Sequence, residues 1–300
     1  MDHSWTHRYV DVDGINAHYI EAGDPGNETV MLIHGGGTSS SAELNYGDVV
    51  GPLGEDLHVI AVDVAGFGRT TGAGSEQYSY AGQGDFLIRF MEELDLRAHV
   101  GGNSLGGWLT MYLALEAPER VKSLILINSR GATLTPDDRY VVWDKDQRRH
   151  RPPRRPFSTK KFTSGPPNRE SVAKKLAKNF ENKDLVTDER VDLAIEMTKL
   201  NAEYSRARTE ATSSTDDASR NNYLHRGKYM PEHAGSLTQP VLLTWSRENP
   251  GSSPEDAMDF FNQLDDVQMH VFSNARHHVM LEHREKWVAV VRDFILTLDS

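Results

Sequence analysis

Apolar and polar positions along this 300-residue chain follow two alternating rhythms. Residues 9–12 and 17–21 flank Asp13-Gly14, and an Asp-Gly pair between two strand-like runs predicts a hairpin. Residues 29–33 and 58–62 are short β-branched runs that end in glycine-rich loops. Over residues 80–94, Phe86, Phe90 and Leu94 recur at every fourth place, which predicts a helix. Residues 99–102 and 123–127 read as two more strands. Between them, 105–116 is apolar and helix-favouring until Pro118 stops it. Strands alternating with helices predict an α/β protein with a mostly parallel central sheet, flanked by helices.

The rhythm breaks over residues 131–235. Arg and Pro crowd 145–161. Further on, Val172, Leu176 and Phe180 lie one helical turn apart, as do Val191, Ala194, Ile195 and Thr198. Alternation resumes with strands at 241–244 and 268–272 and a final helix at 284–298. The expected organisation is one core built from 1–130 and 236–300, with 131–235 as a helical lid.

Composition narrows the class. Hydrophobic residues at 38% and charged residues at 26% make a packed globular protein the default, since a disordered chain would have fewer apolar residues. No apolar run approaches the ~20 residues that cross a bilayer, so a transmembrane helix is excluded. Met1-Asp2-His3-Ser4-Trp5 has no basic stretch followed by an apolar core, so no signal peptide is expected and the cytoplasm is the expected location. The absence of cysteine excludes disulfides, a cysteine nucleophile, iron–sulfur clusters and thiolate zinc sites. Lys and Arg number 33 against 44 Asp and Glu, and the net charge of −11 argues against wholesale nucleic-acid binding. The expected partner is a small-molecule substrate, with no nucleic acid, membrane, cofactor or metal; a homodimer is left open.

Three clusters carry candidate chemistry. Gly102-Asn103-Ser104-Leu105-Gly106 is a G-x-S-x-G pattern between a predicted strand and a predicted helix. Small flanking residues permit a sharp turn there that pushes the serine hydroxyl outward, and the following helix N-terminus favours negative charge. A tight turn without catalysis is the bland alternative. His34-Gly35-Gly36-Gly37 follows the 29–33 strand. Its glycines let the backbone approach a substrate, so Gly36 N–H and Leu105 N–H are the candidate oxyanion hole. A phosphate-binding loop is the competing reading, but neither G-x-G-x-x-G nor a P-loop lysine is present. His277 follows the last predicted strand, in the chain order nucleophile, acid, base, with His278 as its rival.

On these residues the chain resembles an α/β-hydrolase. It is most similar to the meta-cleavage-product hydrolases, which hydrolyse a carbon–carbon bond in ring-opened aromatic compounds. Further residues that carry the resemblance are Leu44-Asn45-Tyr46, Asp63-Val64-Ala65-Gly66-Phe67-Gly68, Thr244-Trp245-Ser246-Arg247, His270-Val271-Phe272-Ser273 and Glu282-His283. The likeness spans about 200 residues of core and is loose in the lid. It implies Ser104 as nucleophile and His277 as base. It also implies substrate contacts at His34, Gly35, Gly37, Asn45, Asn103, Trp108, Arg190 and His278.

The sequence departs from the family in three places. The loop after the seventh family strand, an aspartate-bearing Gly-Arg-Asp-Asp type, reads Ser246-Arg247-Glu248-Asn249-Pro250. Asn249 stands where the triad acid belongs, and Glu248 is one residue early. The tryptophan that follows the family's base is His278, and its substrate-holding lid arginine falls at Ala194, with Arg190 one turn away. Either Glu248 supplies the carboxylate, or Asn249 orients His277 as a neutral partner, or the triad no longer runs hydrolysis. Three functions stay open. One is hydrolysis of a C–C or ester bond beside a carbonyl. Another is a non-hydrolytic enzyme that forms or rearranges a C–C bond in an aromatic natural product. The third is a catalytically dead ligand-binding module. The basic run from Lys145 to Lys161 reads as a solvated lid loop or an electropositive lip for an anionic substrate.

Overall fold

Strands Thr6–Val12 (β1), Ile15–Ala22 (β2), Thr29–Ile33 (β3), His58–Val62 (β4), Ala98–Asn103 (β5), Val121–Ile127 (β6), Val241–Ser246 (β9) and Val267–Phe272 (β10) form one sheet. Its order is β1-β2-β4-β3-β5-β6-β9-β10. The β1–β2 and β2–β4 pairs are antiparallel, and every later pair is parallel. The computed structural model describes residues 4–129, 142–144, 149–151, 168–213 and 235–298. Asp13 and Gly14 both take positive φ, 52° and 82°, as the two-residue hairpin turn between β1 and β2 requires.

Helices Ala42–Leu53 (α1) and Arg284–Leu298 (α9), with the short Val279–Glu282 (α8), cover one face of the sheet. Tyr80–Glu93 (α2), Leu105–Glu116 (α3) and Pro254–Phe261 (α7) cover the other. Strands β3 to β6 and β9 are buried on both faces, and so they read as apolar runs without alternation. The edge strand β10 has no fully buried residue, and Gln268, His270 and Val271 are exposed.

The sequence pattern foresees neither α1 nor α7. Gly47, Gly51 and Pro52 in α1 mask its helical character, and its start is fixed by Ser41, whose hydroxyl accepts from Leu44 N. Between β6 and β9 stand Arg169–Ala177 (α4), Asp188–Leu200 (α5) and Ala202–Ser213 (α6). Val172, Leu176, Val191 and Ala194 from α4 and α5 pack with Leu44 of α1. Of the basic run, Arg149–Arg151 (β8) pairs with Val142–Asp144 (β7) as a short ribbon. The rest of the run lies outside the described residues.

The glycines of the Gly102–Gly106 pattern owe their place to close approach. A Cβ on Gly102 would lie 2.1 Å from the Gly106 backbone, and one on Gly106 would lie 2.0 Å from the Ile33 carbonyl oxygen. Gly106→Ala is therefore expected to destabilise the protein by about 3 kcal/mol or more, as overpacking against rigid backbone does. Denaturant unfolding checks this, and a loss under ~0.5 kcal/mol would refute the steric account.

Candidate active site

Chain direction and sheet order bring four loops together at the C-terminal ends of the parallel strands. Ser104 sits between β5 and α3 with φ 58° and ψ −111°, a backbone conformation that is strained for a serine. Its N–H donates to Ile127 O at 3.0 Å and its carbonyl accepts from Ser129 Oγ at 3.0 Å, which hold the turn against β6. Such over-determined strain is the signature of a serine presented for chemistry.

The 34–37 loop lies against this turn. A Cβ on Gly35 would stand 3.4 Å from Ser104 Cβ, and one on Gly36 would stand 3.3 Å from Leu105 Cβ. Gly36 N–H and Leu105 N–H are thus on adjoining backbone. His34 shapes the first of them. Its Nε2 accepts from Val64 N at 3.1 Å, so its proton is on Nδ1, which donates to Gly35 O at 2.8 Å. That carbonyl shares a peptide unit with Gly36 N–H, so the bond orients and polarises the donor. Both ring nitrogens of His34 are used and the residue is 1% exposed, so it acts on the loop rather than on a substrate. Gly37 N donates to Ser40 Oγ. The inserted helices brace the same loop: Arg208 Nη1 donates to Gly36 O at 2.7 Å, Lys175 Nζ bonds Thr38 Oγ1, and Asn201 Nδ2 donates to Ser40 O at 2.9 Å.

His277 arrives from the loop after β10. Its carbonyl accepts from Asn103 Nδ2 at 3.1 Å and from Asn128 Nδ2 at 3.2 Å, which tie the loop to the residue before Ser104 and to the end of β6. Its Nδ1 meets Asn249 Oδ1 at 2.9 Å. The identity of that Asn249 atom is fixed from behind. Asn249 Nδ2 donates to Ser252 O at 3.1 Å and Ser252 Oγ at 2.9 Å, and a carbonyl oxygen accepts only from the amide nitrogen. Oδ1 must then face His277, whose Nδ1 carries the proton and whose Nε2 is left unprotonated, as a candidate base requires. Burial pushes the imidazole down to about 4.

Glu248 points elsewhere: its Oε2 accepts from Ala275 N at 3.2 Å and pins the histidine loop. Between the two candidates for third member, the geometry selects Asn249 as the imidazole partner. His278, the rival base, is tilted against Phe180 at 5.3 Å, and burial and then the neighbouring His277 and Arg190 lower its pKa.

The remaining sequence candidates divide. Asn45 Nδ2, Asn103 Oδ1 and His278 Nδ1 are buried and make no hydrogen bond among the described residues. Trp108 is packed into the core beside Tyr80 and Tyr112. Arg190 is engaged: it donates to Asp48 Oδ2 at 2.6 Å and to Leu44 O at 3.2 Å, so a substrate carboxylate there would have to displace Asp48. Ala194, at the family's arginine position, is fully buried. Residues that sequence reasoning missed are Asn128, Ser129, Asn201, Arg208, Ser252 and the role of Glu282. No cluster of metal-ligating side chains occurs among the described residues, and no described helix is long and apolar enough to cross a membrane.

The chain is similar to known proteins over most of its length. A family model described as alpha/beta hydrolase fold matches residues 28–284. The 2-hydroxy-6-oxo-6-(2'-aminophenyl)hexa-2,4-dienoic acid hydrolase of Metapseudomonas resinovorans is 26% identical over 296 residues, covering 97% of this chain and 91% of that protein. The 2-hydroxy-6-oxo-2,4-heptadienoate hydrolase of Pseudomonas putida is 25% identical over 286 residues, 95% of this chain and 93% of that protein. Among solved structures, a meta-cleavage product hydrolase from Pseudomonas fluorescens superposes with TM-score 0.77 at 22% identity, covering 97% of this chain and 98% of that one. At that identity the likeness speaks for the fold alone.

Proposed function

Because the chain belongs to the α/β-hydrolase fold family, we propose that it is a serine hydrolase that cleaves a C–C bond beside a carbonyl in a ring-opened aromatic compound. The observation that carries this reading is the strained Ser104 set beside an oxyanion loop, with a buried histidine held in the base tautomer by Asn249. The names of the curated relatives, dienoate hydrolases over nearly the whole chain, support the substrate class.

In this reading His277 Nε2 takes the Ser104 proton as Oγ attacks the carbonyl carbon, and the oxyanion forms at Gly36 N–H and Leu105 N–H. Collapse breaks the C–C bond, and the imidazolium returns its proton to the departing carbon. Water, deprotonated by the same nitrogen, then hydrolyses the acyl-serine. A leaving carbanion must be stabilised by conjugation, as in a dienoate. The unpartnered Asn103 Oδ1 and His278 Nδ1 belong to the residues next to Ser104 and His277, and they support a substrate with polar groups beside its carbonyl, since a buried orphan costs about 1–3 kcal/mol when unmet. Residues 131–235 serve as the lid over the site, and the protein works in the cytoplasm.

A substrate panel tests the proposal. Turnover of 2-hydroxy-6-oxo-6-phenylhexa-2,4-dienoate to a carboxylic acid and a hydroxydienoate is expected, with kcat/KM at least ~10-fold above that for p-nitrophenyl acetate. Consumption of neither compound would overturn it, and isomerisation without cleavage would favour the non-hydrolytic alternative.

A further inference from the structure

We infer that Glu282 is a positioning residue that couples the inserted helices to the catalytic base, by holding the 179–182 turn and the His277 loop in one arrangement. The inference rests on His277 being the base of the proposed reaction. Glu282 ends α8, and its side chain reaches into the seam between the turn that follows α4 and the loop that follows β10. Oε1 accepts from Arg276 N at 2.6 Å. Oε2 accepts from Glu181 N at 2.5 Å and Asn182 N at 2.9 Å. In the opposite direction, His277 N donates to Asn179 O at 3.0 Å. Four hydrogen bonds thus cross or close the seam, and one carboxylate makes three of them.

What the seam holds explains why this matters. Phe180 in the turn is 1% exposed; its ring lies 5.3 Å from that of His278, and the Arg190 guanidinium sits over it at 5.7 Å. Any slip of the turn moves the wall beside the base and opens a route for water to the His277 ring. Three converging N–H groups demand acceptors only, which an ionised carboxylate supplies and an amide does not. An amide at 282 would set its NH₂ against at least one backbone N–H.

The charged and titratable groups beside Glu282 are the Glu181 carboxylate, the Arg276 guanidinium 3.8 Å from it, and the adjacent His283, whose Nε2 bonds Ser273 O. Lys183 is tied to the Ala177 and Phe180 carbonyls. Burial raises the Glu282 pKa above the ordinary carboxylate value despite the three N–H donors, and Glu181 adds to the rise. As pH falls through this raised value the seam loses its ionised acceptor.

The experiment uses full-length Glu282→Gln, with Glu282→Asp, which keeps the charge but is one methylene shorter, as the second variant. Two readouts are taken: amide hydrogen exchange of peptides covering 179–182 and 274–278, and the His277 pKa by NMR titration. In Glu282→Gln both peptides are expected to lose at least ~10-fold protection together while the sheet keeps its own. The His277 pKa is expected to rise by about one unit or more, toward the value of a solvated imidazole. Unchanged exchange in both variants, or lost protection with an unmoved His277 pKa, would reduce Glu282 to a fold residue and overturn the inference. Neither readout needs turnover, so a failure of the proposed reaction shows in the substrate panel and a failure of this coupling shows here.

Discussion

Ser104→Ala will abolish labelling by a fluorophosphonate and lower turnover of the dienoate by about four to six orders of magnitude, the range seen when a serine nucleophile is removed from an intact base and oxyanion hole. The size follows from geometry. Ser104 is held at φ 58° by its bonds to Ile127 and Ser129, and no other serine among the described residues takes a positive φ. Alanine at 104 keeps the backbone and both adjoining N–H donors, so folding should be little affected and the loss should fall on kcat. The test is intact-mass spectrometry after probe treatment, paired with steady-state kinetics. A wild-type protein that resists the probe yet still consumes the dienoate would rule out an acyl-serine. Ser104 would then at most orient the attacking water, and the variant would lose only one or two orders.

The elbow was legible in the sequence because its chemistry is local. Gly102 and Gly106 mark a turn where any Cβ strikes backbone, and the flanking strand and helix are periodic enough to place it. The close approach of Gly35 and Gly36 to that turn was legible for the same reason. The choice between Glu248 and Asn249 was not, because adjacent residues of a loop face different ways and only the path of that loop decides. Here Asn249 N donates a turn bond to Ser246 O, and Arg247 N donates to Phe272 O, which turns Asn249 toward the imidazole and Glu248 toward Ala275.

The contacts of other residues were invisible because most of their partners are far away in sequence. Asn201 binds the backbone at 38, 40 and 68, and Glu282 binds it at 181, 182 and 276. No spacing rule announces such contacts. Arg190 and His34 were read as substrate contacts from the family likeness. The structure gives Arg190 a carboxylate partner in Asp48 and gives His34 two backbone partners, contacts that the likeness did not announce. Helix α1 escaped notice because eight of its twelve residues are buried, which erases the amphipathic signal that periodicity needs.

Asn249→Asp will move the acid limb of the pH–activity profile upward by about 1–3 units, since an anion beside an imidazole stabilises the imidazolium. The sign follows from the base's role. His277 must be neutral to accept a proton, and burial holds its pKa at about 4, so the wild-type base is available across the neutral and mildly acidic range. In the variant the pKa rises, the neutral fraction at about pH 5 shrinks, and activity there falls relative to its plateau. Above about pH 8 the base is neutral in both proteins. There the carboxylate stabilises the imidazolium formed during attack, and hydrolysis of p-nitrophenyl acetate should rise about 10- to 100-fold. That is less than the ~10⁴ a triad aspartate is worth where its loss also reverses the imidazole tautomer. In this protein Ser252 already turns Oδ1 toward His277, so the tautomer is correct and only the charge is missing. The same Ser252 carbonyl limits the gain, because it would face a carboxylate oxygen about 3.1 Å away instead of an amide donor. Glu248→Gln is the control: it keeps an acceptor for Ala275 N and should change turnover less than ~3-fold. A pH profile unmoved by Asn249→Asp, together with a large loss in Glu248→Gln, would make Glu248 the working acid and discard the neutral-partner account of His277.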